Sequence, residues 1–253
     1  MCFNRLHKII ISFVILLIHC ISFANATTEN HHAKQQQQKK QTKQRQKRLR
    51  SDVILADDEA WVANIETAIY RAGTFENINI GYSAKGDWDL GLSLVNIQML
   101  GPDQQFQGDT FFNIAKTINF NEDFFLVLGT QNGVAISNPH PRQWYNYDFI
   151  DAHYFVNSWL SLHGGVYLGN NAVTGHGLKA GILTGTEITL IPNTASLQLD
   201  YSSGHHALSG AIATVLFTVD PHCQVYLGVS VPETRSGNEF AGLIGINLST
   251  KEF

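Results

Sequence analysis

Residues 159–170 read WLSLHGGVYLGN. In an extended chain alternate side chains leave opposite faces, so Leu160, Leu162, Gly164, Val166 and Leu168 share one face, and Ser161, His163, Gly165 and Tyr167 share the other. Such a segment is a strand with one apolar and one polar face. The same sorting recurs on either side of it. In 195–203, Leu197, Leu199 and Tyr201 oppose Gln198 and Asp200, and in 223–231 Val225, Leu227, Val229 and Val231 fall together. In the first part of 87–99, Trp88, Leu90, Leu92 and Leu94 oppose Asp89, Gly91 and Ser93; past Leu94 the pattern fails, because Val95 and Ile97 land on the polar side.

Extending the reading over the rest of the chain gives twelve strands, at 60–70, 75–84, 87–99, 107–120, 123–136, 147–157, 159–170, 177–191, 195–203, 207–219, 223–231 and 239–250. Their lengths suit strands tilted across an outer membrane, which need about 9–11 residues, and exceed the about 5–6 residues usual in soluble sheets. Alternate connections are tight: Lys85-Gly86, Asn121-Glu122, Asn157-Ser158, Pro192-Asn193-Thr194 and Asp220-Pro221-His222. The intervening ones are mostly longer and rich in Gly, Pro, Asn and His, at 100–106, 137–146, 171–176 and 232–238, although 71–74 and 204–206 are short. Short turns at one end and long loops at the other are the pattern of an up-and-down membrane barrel. Trp88 and Trp159 lie beside tight turns, while Trp144, Tyr145 and Tyr147 fall at a long loop, as interface aromatics do. Lys116 conflicts with this scheme. It shares a face with Phe112, Ile114, Ile118 and Phe120, where a cation at mid-bilayer costs about 2–4 kcal/mol, so it must either snorkel to an interface or sit beside a bulge that changes the register.

The segment ahead of the strands has a different composition. Arg5 and Lys8, the apolar run from Ile9 to Ile21 and the small-x-small triplet Ala24-Asn25-Ala26 read as a signal peptide over 1–26. Its removal would take Cys2 and Cys20 with it and leave Cys223 alone, so no internal disulfide is expected. Residues 31–50, HHAKQQQQKKQTKQRQKRLR, carry eight Lys or Arg and no acid. Such a stretch cannot bury enough apolar surface to offset the entropy of ordering, and 27–58 reads as a disordered Lys/Gln-rich basic segment. It is a solvated spacer or a polyanion-attracting arm; with no aromatic side chains between its charges, nucleic acid is not an expected partner. From Ser51 onward seven basic residues face twenty Asp and Glu, a net of −13 hidden inside the whole-chain value of −4. A basic arm thus precedes an acidic body.

Taken together, the leader, the strand pattern and the aromatic Phe253 resemble a bacterial outer-membrane β-barrel protein, with no particular family assigned within that architecture. Phe253 follows Lys251 and Glu252, a departure from the alternation expected to run to the last residue. The resemblance implies an all-β fold, a closed antiparallel up-and-down transmembrane β-barrel of about 12 strands over 59–253. It also implies residence in the bacterial outer membrane among lipid and lipopolysaccharide, and recognition of the terminal aromatic by the barrel-assembly machinery.

Parity places Glu66, Asp89, Asp151, His153, His163, Lys179, Glu187 and Asp200 in the lumen, with Asn64, Asn79 and Gln198. Five carboxylates against one Lys would concentrate cations and disfavour anions. The expected function is therefore a narrow passive channel favouring small cations or polar solutes. The alternative is a closed structural or surface-binding barrel whose outer loops matter more, above all 137–145, SNPHPRQWY. An outer-membrane lipid hydrolase is disfavoured: His206 and Ser209 differ in parity, and His205 and Ser209 share a face but lie about 13 Å apart at strand rise. No catalytic residue is assigned. His205-His206 near Asp200, and His222 beside Cys223, are the metal-type clusters, and solvated loop histidines account for them better. No Gly-rich phosphate loop, CxxC pair or HExxH helix occurs, so neither a cofactor nor a metal is expected.

Overall fold

A computed structural model describes residues 59–101, 108–135, 143–174, 179–206, 208–234 and 236–253, all within one compact unit, 45–253. The expected signal peptide 1–26, the basic segment 27–58 and positions 137–142 of the expected outer loop lie outside the described residues.

Twelve strands follow one another: β1 (Ala60–Tyr70), β2 (Thr74–Ala84), β3 (Trp88–Leu100), β4 (Asp109–Asn119), β5 (Phe124–Ala135), β6 (Trp144–Phe155), β7 (Leu160–Gly169), β8 (Ala180–Ile191), β9 (Ala195–Ser202), β10 (Gly210–Asp220), β11 (Cys223–Pro232) and β12 (Ala241–Ser249). Each pairs antiparallel with its sequence neighbours, and β1 pairs with β12, which closes the barrel. Closure removes the unpaired edges that an open sheet would present. One helical turn, α1 (Asn171–Thr174), interrupts the connection between β7 and β8. The inner end is taken as the end where β1 begins and β12 finishes.

Two of the tight inner turns are built by residues that accept positive φ. Between β2 and β3, Gly86 and Asp87 lie at φ 75° and 57°, and between β8 and β9 Asn193 lies at 61°. The starts of β6, β8 and β10 each differ from the sequence pattern by three residues. β6 begins at Trp144, three residues before the alternation becomes readable, because Trp144, Tyr145 and Asn146 pair with Val134, Gly133 and Asn132 of β5. β10 begins only at Gly210, since His206 and Ser209 close a turn on each other and lengthen the short connection expected at 204–206.

The outward face is apolar: Ile80, Leu92, Phe112, Ile150, Leu162, Val166, Ile182 and Leu227 are all exposed there. The break in β3 has a local cause. Leu94 stands opposite Ile78 but Ile97 stands opposite Glu76, so the chain gains one residue through Asn96, which sits at φ 59°. This bulge turns Ile97 back to the outward face. Lys116 does face outward, opposite Trp88 and Leu128, but near the inner end. Its ammonium donates to the carbonyl of Gly86 in the β2–β3 turn and lies 5.4 Å from the centre of the Trp88 ring. The side chain snorkels, which removes the mid-bilayer penalty. At the same end Trp61 packs tilted against Tyr82 at 4.9 Å and Phe120 against Phe124 at 5.3 Å, with exposed Trp159 on the same girdle.

Candidate functional site

Because the strands alternate except at bulges, the inward set follows from the outward one. A cavity of about 430 Å3 opens inside the barrel, and Asp89, Asp151, His153, His163, Glu187 and Asp200 line it. One side of it is apolar: Phe125, Val127 and Phe155 pack together, with Ala115 and Phe149 against them.

The polar side is organised by the register of β6 and β7. His153 and His163 are direct cross-strand partners, and Asp151 lies two residues before His153 on the same face of β6. The rings of Phe125, His153 and His163 form a layered series, with centroids 4.6 Å and 5.1 Å apart. Asp151 Oδ2 lies 2.9 Å from His163 Nδ1 and 3.2 Å from His153 Nε2. On its far side His163 Nε2 lies 2.8 Å from Asp200 Oδ1. Both His163 contacts are hydrogen bonds when the ring donates from both nitrogens, so a doubly protonated ring would bridge the two acids.

This bridge depends on a glycine. Asp200 is on β9, and β8 runs between it and β7; the β8 residue paired with both His163 and Asp200 is Gly185. A Cβ at Gly185 would collide with His163 Nε2 and Asp200 Oδ1. Gly165 serves Asp151 in the same way, since a Cβ there would meet Asp151 Oδ1 at 2.8 Å. Two missing side chains therefore leave the space in which the charged groups meet.

The opposite wall is built from amides. Asn64 Nδ2 donates to Tyr226 Oη at 2.9 Å and to Asn247 Oδ1 at 2.7 Å, and Asn64 Oδ1 accepts from Asn79 at 3.0 Å. Glu66 accepts from Asn77 Nδ2 at 2.9 Å and from Tyr226 Oη at 3.0 Å. Near the outer end Tyr147 and Tyr167 stack at 5.1 Å beside Val173 of α1. Tyr167 also meets buried His206 and donates to the Ser203 carbonyl.

Six of the eight lumen residues expected from parity thus surround one cavity. Glu66 belongs to the amide wall and does not line that cavity. Lys179 is exposed just before β8, where its carbonyl accepts from Gly169 N, and it does not line the cavity either. His205 is exposed, as a solvated loop histidine should be, but His206 is 4% exposed. Ser209 Oγ donates to the His206 carbonyl at 2.6 Å and accepts from its N–H at 3.0 Å. That hydroxyl thus engages the histidine's backbone, whereas the ring bonds Leu208 N and Tyr167. Among the described residues the set able to approach a metal ion is Asp151, His153 and His163, whose ligand atoms lie within 4.8 Å of one another. Sequence reasoning did not find this set, because its proximity comes from the β6–β7 register.

A second cavity of about 280 Å3 lies at the inner end, lined by Trp159, Asn193, Gln224 and Phe253, and Glu187 borders both cavities.

No family model and no curated protein matches the chain. Among solved structures, the KdgM porin superposes with a TM-score of 0.56 at 12% identity, over 74% of this chain and 98% of that one. A structure described as the KdgM porin in complex with disordered oligogalacturonate gives 0.53 at 11%, over 75% and 98%. The NanC porin gives 0.53 at 5%, over 76% and 100%. At these identities the likeness is one of fold: the chain has the β-barrel fold of the outer-membrane porins.

Proposed function

We propose that this protein is a small passive channel of the bacterial outer membrane that favours cations and small polar solutes. The supporting observation is the charge of the cavity wall. Asp89, Asp151, Glu187 and Asp200 line it together with two histidines, and among the described residues neither Lys nor Arg does. With one imidazolium offsetting one acid, the wall keeps a negative balance in a space walled by protein, where fields are focused. The oligogalacturonate of the KdgM complex is a chain of carboxylates. Such a ligand would be repelled by this wall, so handling of polar solutes is the part of that likeness carried over here. Residues 1–26 would direct export, the barrel-assembly machinery would insert the chain, and the apolar face would meet lipid, with lipopolysaccharide around the outer end.

Planar-bilayer recording tests this reading. In a KCl gradient the reversal potential should show potassium preferred over chloride, and the combined substitution Asp89→Asn, Glu187→Gln and Asp200→Asn should reduce that preference at least threefold. Absence of conductance, or a preference for chloride, refutes it.

A second reading is a closed barrel acting through its surface. The filling of the outer lumen by Tyr147, Tyr167, Val173 and His206 favours it. Deleting 137–145 while measuring conductance and adhesion separately distinguishes the two: a surface binder loses adhesion and has no conductance to lose.

A further inference from the structure

We infer that Asp151, His153 and His163 form a site for one divalent transition-metal ion inside the lumen, with Asp200 positioning His163. This does not rest on the channel reading, since a closed barrel could hold the same ion.

Three ligands of two types come from one face of a two-stranded ribbon. Asp151 and His153 are separated by one residue on β6, and His163 is the direct partner of His153 on β7. The register therefore delivers two imidazole nitrogens and a carboxylate oxygen to one place, within 4.8 Å of one another. Ligands bound tetrahedrally at about 2.0–2.2 Å lie about 3.3–3.6 Å apart, so a turn of the His153 ring that closes the widest gap by about 1 Å completes the set. The ion would take the place of the proton between His163 Nδ1 and Asp151 Oδ2, and that proton would leave to water.

Two further observations point to a ligand. First, Asp151 is 8% exposed, and its second oxygen, Oδ1, is buried without a hydrogen-bond partner among the described residues. A buried carboxylate oxygen left unpaired is costly, and a bound cation beside it removes that cost. Second, His163 Nε2 faces Asp200 Oδ1 at 2.8 Å. Metal-binding histidines commonly give their other N–H to a carboxylate, which fixes the tautomer and aims the ligating nitrogen. Gly185 permits this contact, since an added Cβ would meet both of these side chains as well as the Leu199 carbonyl. All four side chains border the cavity, so the site opens onto space that an ion can occupy. Two imidazoles with one carboxylate suit zinc, copper or nickel better than magnesium or calcium, which prefer all-oxygen sites.

The test uses the full chain folded in detergent and zinc as the probe, titrated calorimetrically in the presence of excess magnesium. One equivalent should bind. His153→Gln and His163→Gln should each weaken binding at least tenfold, and Asp200→Asn by about 10–100-fold, with strand content unchanged by circular dichroism. Substituting His31, His32 and His205 together should leave this equivalent in place. Zinc-edge absorption on the unmodified chain should show imidazole nitrogen and carboxylate oxygen, a readout that no variant's folding can spoil. The inference is overturned by absence of stoichiometric binding, by binding that survives loss of both His153 and His163, by equal competition from magnesium, or by sulfur at about 2.3 Å, which would assign the ion to Cys223.

Discussion

Two walls of the same lumen meet the same requirement, the satisfaction of polar groups away from bulk water, by different means. On the wall of β1, β2, β11 and β12, Asn64, Asn77, Asn79, Asn247 and Tyr226 surround a single acid, Glu66, and nearly every contact is between neutral groups or from a neutral donor to that acid. On the wall of β6, β7 and β9, Asp151 and Asp200 are held by one histidine between them. Neutral networks share the work among many members. The charged wall concentrates it in one side chain and in two glycines that make room for it. Loss of a member should therefore be tolerated on the first wall and not on the second.

The largest expected effect follows from that difference. Asp151→Ala removes the acid shared by both histidines and leaves His163 half paired, and removal of one partner of a buried charged pair costs about 3–5 kcal/mol. Glu66→Gln keeps an acceptor for Asn77 or Tyr226, and a hydrogen bond weakened in this way costs about 0.5–1.5 kcal/mol. Urea unfolding of the two variants in the same lipid measures both, and equal losses would erase the distinction between the walls.

A smaller effect is expected at the glycines. Gly185→Ala forces His163 and Asp200 apart, with an overpacking cost of about 1–3 kcal/mol. Gly242→Ala is its control: nothing lies within 4 Å of the added carbon, and a methyl in open space on a strand should change stability by no more than about 0.5 kcal/mol. Similar values for the two, from the same unfolding measurement, would mean that the space at Gly185 is not what the bridge requires.

The smallest effect concerns pH at the outer end, beyond the strands. Burial holds His206 below the ordinary histidine value of 6.5, with neighbouring His205 adding to the shift. The geometry agrees, because Nδ1 accepts from Leu208 N at 3.2 Å and a proton there would oppose that bond. With the folded value depressed, the stabilisation from neutral His206 is complete above 6.5 and declines as pH falls below it. Glu233 is lowered from 4.5 by its hydrogen bond from Tyr201, then by Thr234, and its contribution fades only below that value. Hydrogen-exchange protection of Leu208 and Ser209 should therefore drop between pH 7.5 and 5.5, and His206→Phe should flatten the profile. A drop confined to pH below 4.5 would instead place the sensitivity at Glu233.

Much of the barrel was legible because a strand exposed to apolar surroundings on one side writes its orientation into the sequence. In β7, Leu162, Val166 and Leu168 alternate with His163 and Tyr167, and both sets lie where the alternation puts them. Legibility fails where that contrast fades. In β5, Phe125 and Val127 face inward while Leu126 and Leu128 face outward, so the apolar side of the cavity left no mark in the pattern. The break after Leu94 was visible but not its cause, a bulge at Asn96. For Lys116 the sequence offered two explanations, and the reach to Gly86 and Trp88 decided between them.

The number of strands, their approximate ends and, where polar and apolar side chains alternate, the inward set are written in the sequence, because those properties depend on a period of two and on turns between neighbours in the chain. Which inward residues meet was decided only by the tertiary structure. Asp151, His163 and Asp200 lie on three different strands, and their contact depends on cross-strand register and on the absence of a side chain at Gly185. Those are properties of the pairing between strands, and no single strand records them.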